Sequence, residues 1–252
     1  LLKGSPARFL PLFAWVAVDV LLWGFITRYL NSVAAPGYNF VPAMLGAVLL
    51  WDFFTRVMQG VATAFFEDVW SRNFLNVFAS PMTVPEYLGG LVLTGVMTSL
   101  VGLAVMLVLA TGVFGLSFAA YGLAAVPFLL VLFLFGIALG IVGCAIVLRL
   151  GPAAEWFVWP IPAVLSPFVG VFYPVATLPG WMQWASYALP PTYVFEGLRA
   201  IVAGQGVAAG ALWKGAALAV ASIGLAYWCF TRVYRHAVRT GLIARYSAES
   251  VS

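Results

Sequence analysis

The stretch AAYGLAAVPFLLVLFLFGIALGIVGCAIVL, residues 119–148, decides the fold, because it contains no charged residue and is long enough to cross a bilayer as a helix. A transmembrane helix needs roughly 20 mostly apolar residues to span about 30 Å of hydrocarbon. The rest of the chain is similar: of its 252 residues, 64% are hydrophobic and 8% are charged. A soluble domain carries about 25% charged residues. The composition therefore predicts an integral membrane protein.

Apolar windows of helix length recur along the whole chain. The strict apolar–polar alternation of a membrane β-barrel is absent, so a helical bundle is the expected spanning structure. The fold class predicted is all-α, a single polytopic transmembrane domain over residues 1–252 with six transmembrane helices. The predicted spans are 9–30, 40–64, 86–111, 119–148, 155–175 and 209–231.

Small residues mark the third and fourth spans as helices that pack closely. Gly95 and Gly102 lie on one face of span three, and Gly136, Gly140 and Gly143 recur at helical spacing in span four. Glycine lets two helix backbones approach, and membrane helices use such positions to associate. We therefore predict a packing role for these glycines.

Prolines interrupt span five and the segment that follows it. Pro160, Pro162 and Pro167 each remove a backbone donor, so a kinked or broken helix is expected. Residues 176–205 are too apolar for an ordinary loop and too interrupted to cross, which predicts re-entrant helices in the outer leaflet. Interfacial aromatic residues and one i,i+3 charge pair stand out there: Trp181, Trp184, Tyr187, Glu196 and Arg199.

The basic residues predict the orientation, since lysine and arginine concentrate on the cytoplasmic side. A cytoplasmic N-terminus leaves only Arg28, Arg199 and Lys214 outside. The others then lie inside: Lys3, Arg8, Arg72, Arg149, Arg232, Arg235, Arg239 and Arg245. We expect a multi-pass protein of the cytoplasmic (inner) membrane with both termini in the cytoplasm. The basic C-terminal tail is expected to meet anionic lipid headgroups or a partner protein rather than nucleic acid.

Three charged residues lie inside predicted spans, where an ionised group costs a few kcal/mol unless it is paired or wet. Asp19 is in span one, and Asp52 and Arg56 are one turn apart in span two, where they can form an intrahelical pair. We expect one polar cluster. It would serve either as the lining of a transport path or as a buried structural ion network.

The sequence contains few of the residue patterns that enzymes use for catalysis. There is no G-x-x-x-x-G-K-[ST] loop, and one histidine and two cysteines in apolar runs provide no zinc set. We expect no catalytic residue, no metal and no cofactor in this chain. Energy for transport would then come from an ion gradient or from another polypeptide.

The polar stretch between spans two and three has a helical pattern. Asp68, Arg72 and Asn76 recur every four residues, which predicts a short amphipathic helix over residues 65–80 lying across the membrane surface. Thr83 and Glu86 form a T-x-x-E capping box that starts span three.

Two quoted stretches carry a family resemblance. EDVWSRNFLNVFASPMTVPEYL at 67–88 and FYPVATLPGWMQWASYALPPTYVFEGLRAI at 172–201 resemble the permease subunits of ABC exporters, in the branch that moves polysaccharides, lipids and drugs. The resemblance implies that the helix between spans two and three is a coupling helix that docks into a separate ATPase subunit. By that resemblance, the docking residues are Glu67, Asp68, Arg72, Asn73 and Asn76.

The resemblance also implies the assembly. Two permease chains, either a homodimer of this chain or a heterodimer with a second permease, would join two ATPase chains that hold ATP and Mg. The substrate path would lie between the permeases. The family usually has an amphipathic helix before span one, where this sequence shows LLKGSPARF.

The sequence thus favours the membrane subunit of an ABC exporter for an amphipathic substrate, namely a lipid-linked glycan, a lipid or a drug-like molecule. The alternative is a gradient-driven secondary transporter that uses Asp19 and Asp52. That alternative predicts an inverted repeat, which the two halves of the chain do not display. A membrane-embedded transferase lacks a catalytic set.

Overall fold

The computed structural model describes residues 6–33, 41–71, 82–116, 121–123, 125–206 and 209–242, and this part of the chain is helical without strands. The fold class prediction is therefore confirmed as far as an all-α membrane protein is concerned. The α-helices are α1 (Pro6–Val33), α2 (Gly46–Trp70), α3 (Val84–Phe114), α4 (Ala125–Leu150), α5 (Glu155–Val158), α6 (Ile161–Val169), α7 (Gly180–Tyr187), α8 (Pro190–Val202) and α9 (Ala209–Thr240).

Helix α2 is the central helix of the bundle and packs between α3 and α4. At its crossing with α3, a Cβ atom placed on Gly60 would lie 2.9 Å from the Cα of Gly95. The two backbones therefore touch, which only glycine at both positions allows. The predicted packing role of Gly95 is confirmed.

Helix α4 approaches the other side of α2 through glycine as well. A Cβ on Gly140 would lie 2.7 Å from the Cβ of Val61, and one on Gly136 would lie 2.9 Å from a methyl of Val57. Gly143 likewise faces Val158 of α5. Because lipid chains are as apolar as these side chains, van der Waals contact at such close crossings is what holds membrane helices together.

Helix α1 lies at the edge of this core. Gly24 leaves room for the ring of Phe114 at the end of α3. Trp23 stacks on Phe172 at a ring-centroid distance of 4.9 Å. Helix α1 is thus held by α3 and by the turn that follows α6.

Proline divides the predicted fifth span, as expected. Helix α5 ends at Val158, and α6 runs from Ile161 to a left-handed Gly170 with φ +64°. At 1.5 Å per residue, α6 is about 14 Å long and covers roughly half the hydrocarbon thickness. The break that the prolines predict is therefore present, and the predicted membrane span over 155–175 stays a prediction.

Two helices extend beyond the predicted limits of their membrane spans. Helix α2 continues to Trp70, so residues 65–70 of the helix predicted over 65–80 belong to α2. Phe65 and Phe66 are fully buried, and this packing extends the helix past the end of the apolar window. Helix α9 continues past the predicted span end at 231 to Thr240.

Among the described residues, three helices are both long and apolar enough to cross a membrane. They are Val84–Phe114, Tyr121–Leu150 and Gly210–Thr240. The count of six spans stays a prediction.

Candidate functional site

Four elements meet at one end of the bundle, which we call the Tyr87 end. The ring of Phe65, near the end of α2, lies 6.4 Å from the ring of Tyr87 in α3 and 6.5 Å from that of Phe230 in α9. Phe66 packs edge-on against Trp159, between α5 and α6. The Tyr87 end therefore joins the last turns of α2 to the first turn of α3, to α9 and to the broken span.

A hydrogen bond ties α2 to α3 at this end. The Tyr87 hydroxyl donates to Oδ2 of Asp68 at 2.8 Å. Tyr87 is buried and Asp68 is half-buried. The bond holds the end of α2 and the start of α3 together.

The start of α3 is fixed by the capping box that the sequence predicts. The Thr83 amide and hydroxyl both donate to Oε2 of Glu86 at 2.7 Å. This satisfies a donor that an uncapped helix start would leave free. The capping prediction is confirmed, and α3 begins at Val84, directly after its N-cap Thr83.

A second hydrogen bond ties α2 to the broken span. Nε1 of Trp70 donates to Oε2 of Glu155, the first residue of α5, at 2.9 Å. We call the Asp68–Tyr87 and Trp70–Glu155 bonds together the brace. Sequence reasoning singled out neither Tyr87 nor Glu155, since nothing local marks partners that lie 19 and 85 residues from each other along the chain.

The predicted docking residues divide into two groups. Glu67 is exposed in the last turn of α2, whereas Asp68 accepts the Tyr87 hydroxyl inside the chain. Arg72, Asn73 and Asn76 lie outside the described residues.

The three intramembrane charges come together between α1, α2 and α3. Asp19, Asp52 and Arg56 lie within electrostatic range of one another. The stem of Arg56 lies against Gly102, where an added Cβ would be 3.1 Å from its Cδ. The predicted polar cluster therefore forms at the α2–α3 contact.

The predicted Asp52–Arg56 ion pair is not formed. In the described part of the chain, the ion pair within 4.0 Å is Glu196–Arg199. Oδ2 of Asp52, Oγ1 of Thr55 and Nε of Arg56 are buried without a hydrogen-bond partner. A buried polar atom left in this way costs about 1–3 kcal/mol, so the cluster is not a fully satisfied structural network.

The opposite end of the bundle, which we call the Glu196 end, is held by an ion pair that the sequence predicts. Nη2 of Arg199 lies 2.8 Å from Oε1 of Glu196. Nη1 of Arg199 also donates to the Gly170 carbonyl at 2.7 Å, and the Val175 amide donates to Glu196 at 2.8 Å. We call these four residues the clamp. It fixes the turn after α6 onto helix α8.

Side chains satisfy further backbone groups beside the clamp. The Ser186 hydroxyl lies at hydrogen-bond distance from the Phe168 carbonyl, and Thr192 donates to the Ser186 carbonyl at 2.7 Å. Irregular backbone at membrane depth requires such partners, because hydrocarbon provides none. Trp181, Trp184 and Tyr187 are exposed around this network.

No group of three or more His, Cys, Asp or Glu side chains within the described ranges could hold a metal ion.

The helical bundle, with three helices long and apolar enough to cross a membrane among the described residues, defines a polytopic membrane protein. A family model described as ABC-2 type transporter matches residues 7–203, and the chain belongs to that family. It is the membrane, or permease, component of an ABC transporter. A search of curated proteins found no match to the chain.

Proposed function

We propose that this chain is the transmembrane subunit of an ATP-driven exporter that moves an amphipathic molecule out across the cytoplasmic membrane. A separate subunit would bind ATP and Mg and hydrolyse the nucleotide. Two copies of the permease would form the substrate path, with both termini in the cytoplasm. Membership of the ABC-2 type transporter family supports this proposal and does not favour a gradient-driven transporter.

The observation that carries the proposal is the position of the brace. The Asp68–Tyr87 bond holds both ends of the segment that carries Arg72, Asn73 and Asn76, and Glu67 lies directly before it. The ATPase would dock on this segment through these four residues. The same end of α2 holds Glu155 at the start of the broken span. A force applied to the docking segment would thus reach α3 and α5 directly.

Transmission would continue through the broken span to the far end. Helices α5 and α6 are held by Trp70 at one end and by the clamp at Gly170 at the other. Displacement of Glu155 would therefore bend the span at its prolines instead of pulling it free. Opening and closing at this joint would give the substrate path alternating access.

The intramembrane cluster would contact the polar part of the substrate. Oδ2 of Asp52 and Nε of Arg56 are buried without a hydrogen-bond partner, so a substrate would reach them only after the helices around the cluster separate. A substrate with a polar head and an apolar body would satisfy both while its body stays in lipid.

The test is reconstitution in proteoliposomes with the ATPase that co-purifies with this chain. We expect transport that depends on ATP and that persists when ion gradients are collapsed. Substitution of Arg72 and Asn76 by Ala should weaken co-purification of the ATPase. Tyr87→Phe should keep the ATPase bound but lower transport per ATP hydrolysed. Transport that follows an imposed ion gradient without any ATPase would contradict the proposal.

A further inference from the structure

Helix α9 presents two opposite faces in its last four turns. One face is buried in the bundle and consists of Ala226, Phe230, Val233 and Ala237. Residues on the other face are exposed and recur at the same spacing of three and four: Trp228, Arg232, Arg235 and Arg239. We call these four residues the arginine face. At 3.6 residues per turn, the two sets lie on opposite sides of the helix.

The arginine face begins with a cation–π contact. Cζ of Arg232 lies 5.1 Å from the ring centroid of Trp228. Such a contact holds the guanidinium beside the indole. Tryptophan favours the boundary between hydrocarbon and headgroups. Arg232 is therefore oriented at the point where α9 changes from apolar to basic.

The spacing of charges along α9 gives the depth of this point. No charged residue lies between Lys214 and Arg232. The rise of the helix places these two residues about 27 Å apart, close to the roughly 30 Å thickness of the hydrocarbon. Arg235 and Arg239 then follow about 4.5 and 10 Å further along the axis. These distances place them in the headgroup layer when α9 crosses the membrane.

The arginines carry positive charge that the described residues do not neutralise locally. Among the described residues, no carboxylate lies within 4.0 Å of these guanidinium groups. Phosphate groups match guanidinium geometry and form charge-assisted, bidentate hydrogen bonds with it. A basic side chain near an anionic membrane surface contributes about 1 kcal/mol to binding.

We propose that the arginine face binds the phosphate groups of anionic phospholipid headgroups in the leaflet at the Tyr87 end. Trp228 lies at the hydrocarbon side of the site, and Arg232 and Arg235 bind the phosphate layer. Arg239 lies at the aqueous side of the site. The proposal rests on α9 crossing the membrane and is independent of ATP coupling.

The test measures lipid retention by native mass spectrometry of the purified chain, extracted from vesicles of phosphatidylcholine with a minor fraction of phosphatidylglycerol. Arg235→Gln should lower phosphatidylglycerol retention roughly fivefold, and the triple Gln variant of the three arginines should lower it by more than tenfold. Trp228→Leu keeps every charge and should cause a smaller loss.

Arg149→Gln is the matched control. Arg149 is exposed in the last turn of α4, at the same end of the bundle but off the arginine face. Arg149→Gln should lower retention clearly less than Arg235→Gln, because it removes a single charge that is not part of the arginine face. An equal loss for Arg149→Gln and Arg235→Gln would overturn the proposal, because any basic residue at this level would then suffice.

Two further outcomes would also overturn it. Retention that is unchanged in a folded triple variant, with loss of the co-purified ATPase instead, would assign the face to a protein. Protection of the wild-type chain against thermal unfolding by inorganic phosphate alone, equal to that given by phosphatidylglycerol vesicles, would assign it to free phosphate. Should the triple variant fail to fold, the Arg235→Gln and Trp228→Leu comparison decides.

Discussion

The two ends of the bundle are held by different kinds of bond. At the Glu196 end, charged and hydroxyl side chains bind backbone carbonyls and amides, as in the Arg199–Gly170 and Glu196–Val175 contacts. At the Tyr87 end, the brace joins side chain to side chain, and the Trp70–Glu155 bond is exposed. Bonds to the backbone fix its course, whereas exposed side-chain bonds can break and reform without unfolding. We therefore expect the Glu196 end to determine stability and the Tyr87 end to determine coupling.

The largest effect is expected for Gly170→Ala. Gly170 has φ +64°, and an added Cβ would lie 2.9 Å from the Tyr173 carbonyl oxygen. The left-handed backbone costs about 1–2 kcal/mol for a residue with a side chain, and the close contact adds to it. We expect a loss of about 2–4 kcal/mol in the free energy of unfolding, measured by thermal or denaturant unfolding in detergent. Gly180→Ala, with no atom within 4 Å and ordinary backbone, should be near neutral.

Arg199→Met is expected to have the next largest effect. It removes donors to Gly170 and Glu196 and leaves the half-buried carboxylate paired only with the Val175 amide. Hydrogen bonds to charged groups contribute about 1.5–3 kcal/mol, so we expect a loss of about 2–3 kcal/mol in unfolding free energy. Lys214→Met is the control, because Lys214 is exposed. Equal losses in the two variants would refute the role of the clamp.

Tyr87→Phe removes one bond of the brace and keeps the ring. Asp68 is half-buried, so water can replace part of the interaction, and we expect a loss of about 1–2 kcal/mol. Transport per ATP hydrolysed should fall several-fold, as measured in proteoliposomes. Tyr193→Phe deletes the same atom at the Glu196 end, where the hydroxyl donates to the Tyr187 carbonyl. If Tyr87→Phe and Tyr193→Phe lower transport per ATP equally, the Tyr87 end has no special role in coupling.

Trp70→Phe is expected to change stability least. Trp70 is 54% exposed, so loss of its bond to Glu155 should cost less than about 1 kcal/mol. Hydrolysis by the partner ATPase should continue while movement of the broken span is lost, which spin labels on α6 would report as an unchanged distance upon ATP binding. Trp184→Phe, at an exposed position in α7, serves as control. A full distance change in Trp70→Phe would remove Glu155 from the proposed route.

Local patterns predicted much of this structure. The Glu196–Arg199 pair and the Thr83–Glu86 capping box join residues three apart, so helical spacing was sufficient to identify them. The glycines of α3 and α4 could be assigned to packing because small residues at helical spacing have few other roles in a membrane helix.

Partners far apart along the chain could not be predicted in this way. Trp70 and Glu155 each have several possible partners at the same membrane level, and only the tertiary fold, which brings the end of α2 beside the start of α5, selects this pair. The end of α2 is hard to predict for a similar reason. An amphipathic pattern starting at Phe65 fits a separate helix as well as a longer second helix, and the packing of Phe65 against Phe230 explains why residues 65–70 belong to α2.

The contact between Gly60 and Gly95 is the point about which α2 and α3 can change their crossing angle. Because the two backbones already touch there, the helices cannot approach further at that point. Along α2, Trp70 lies about 15 Å on one side of Gly60 and Asp52 about 12 Å on the other. The two lever arms are nearly equal, so tilting the helix at Trp70 moves Asp52 by a similar distance in the opposite sense.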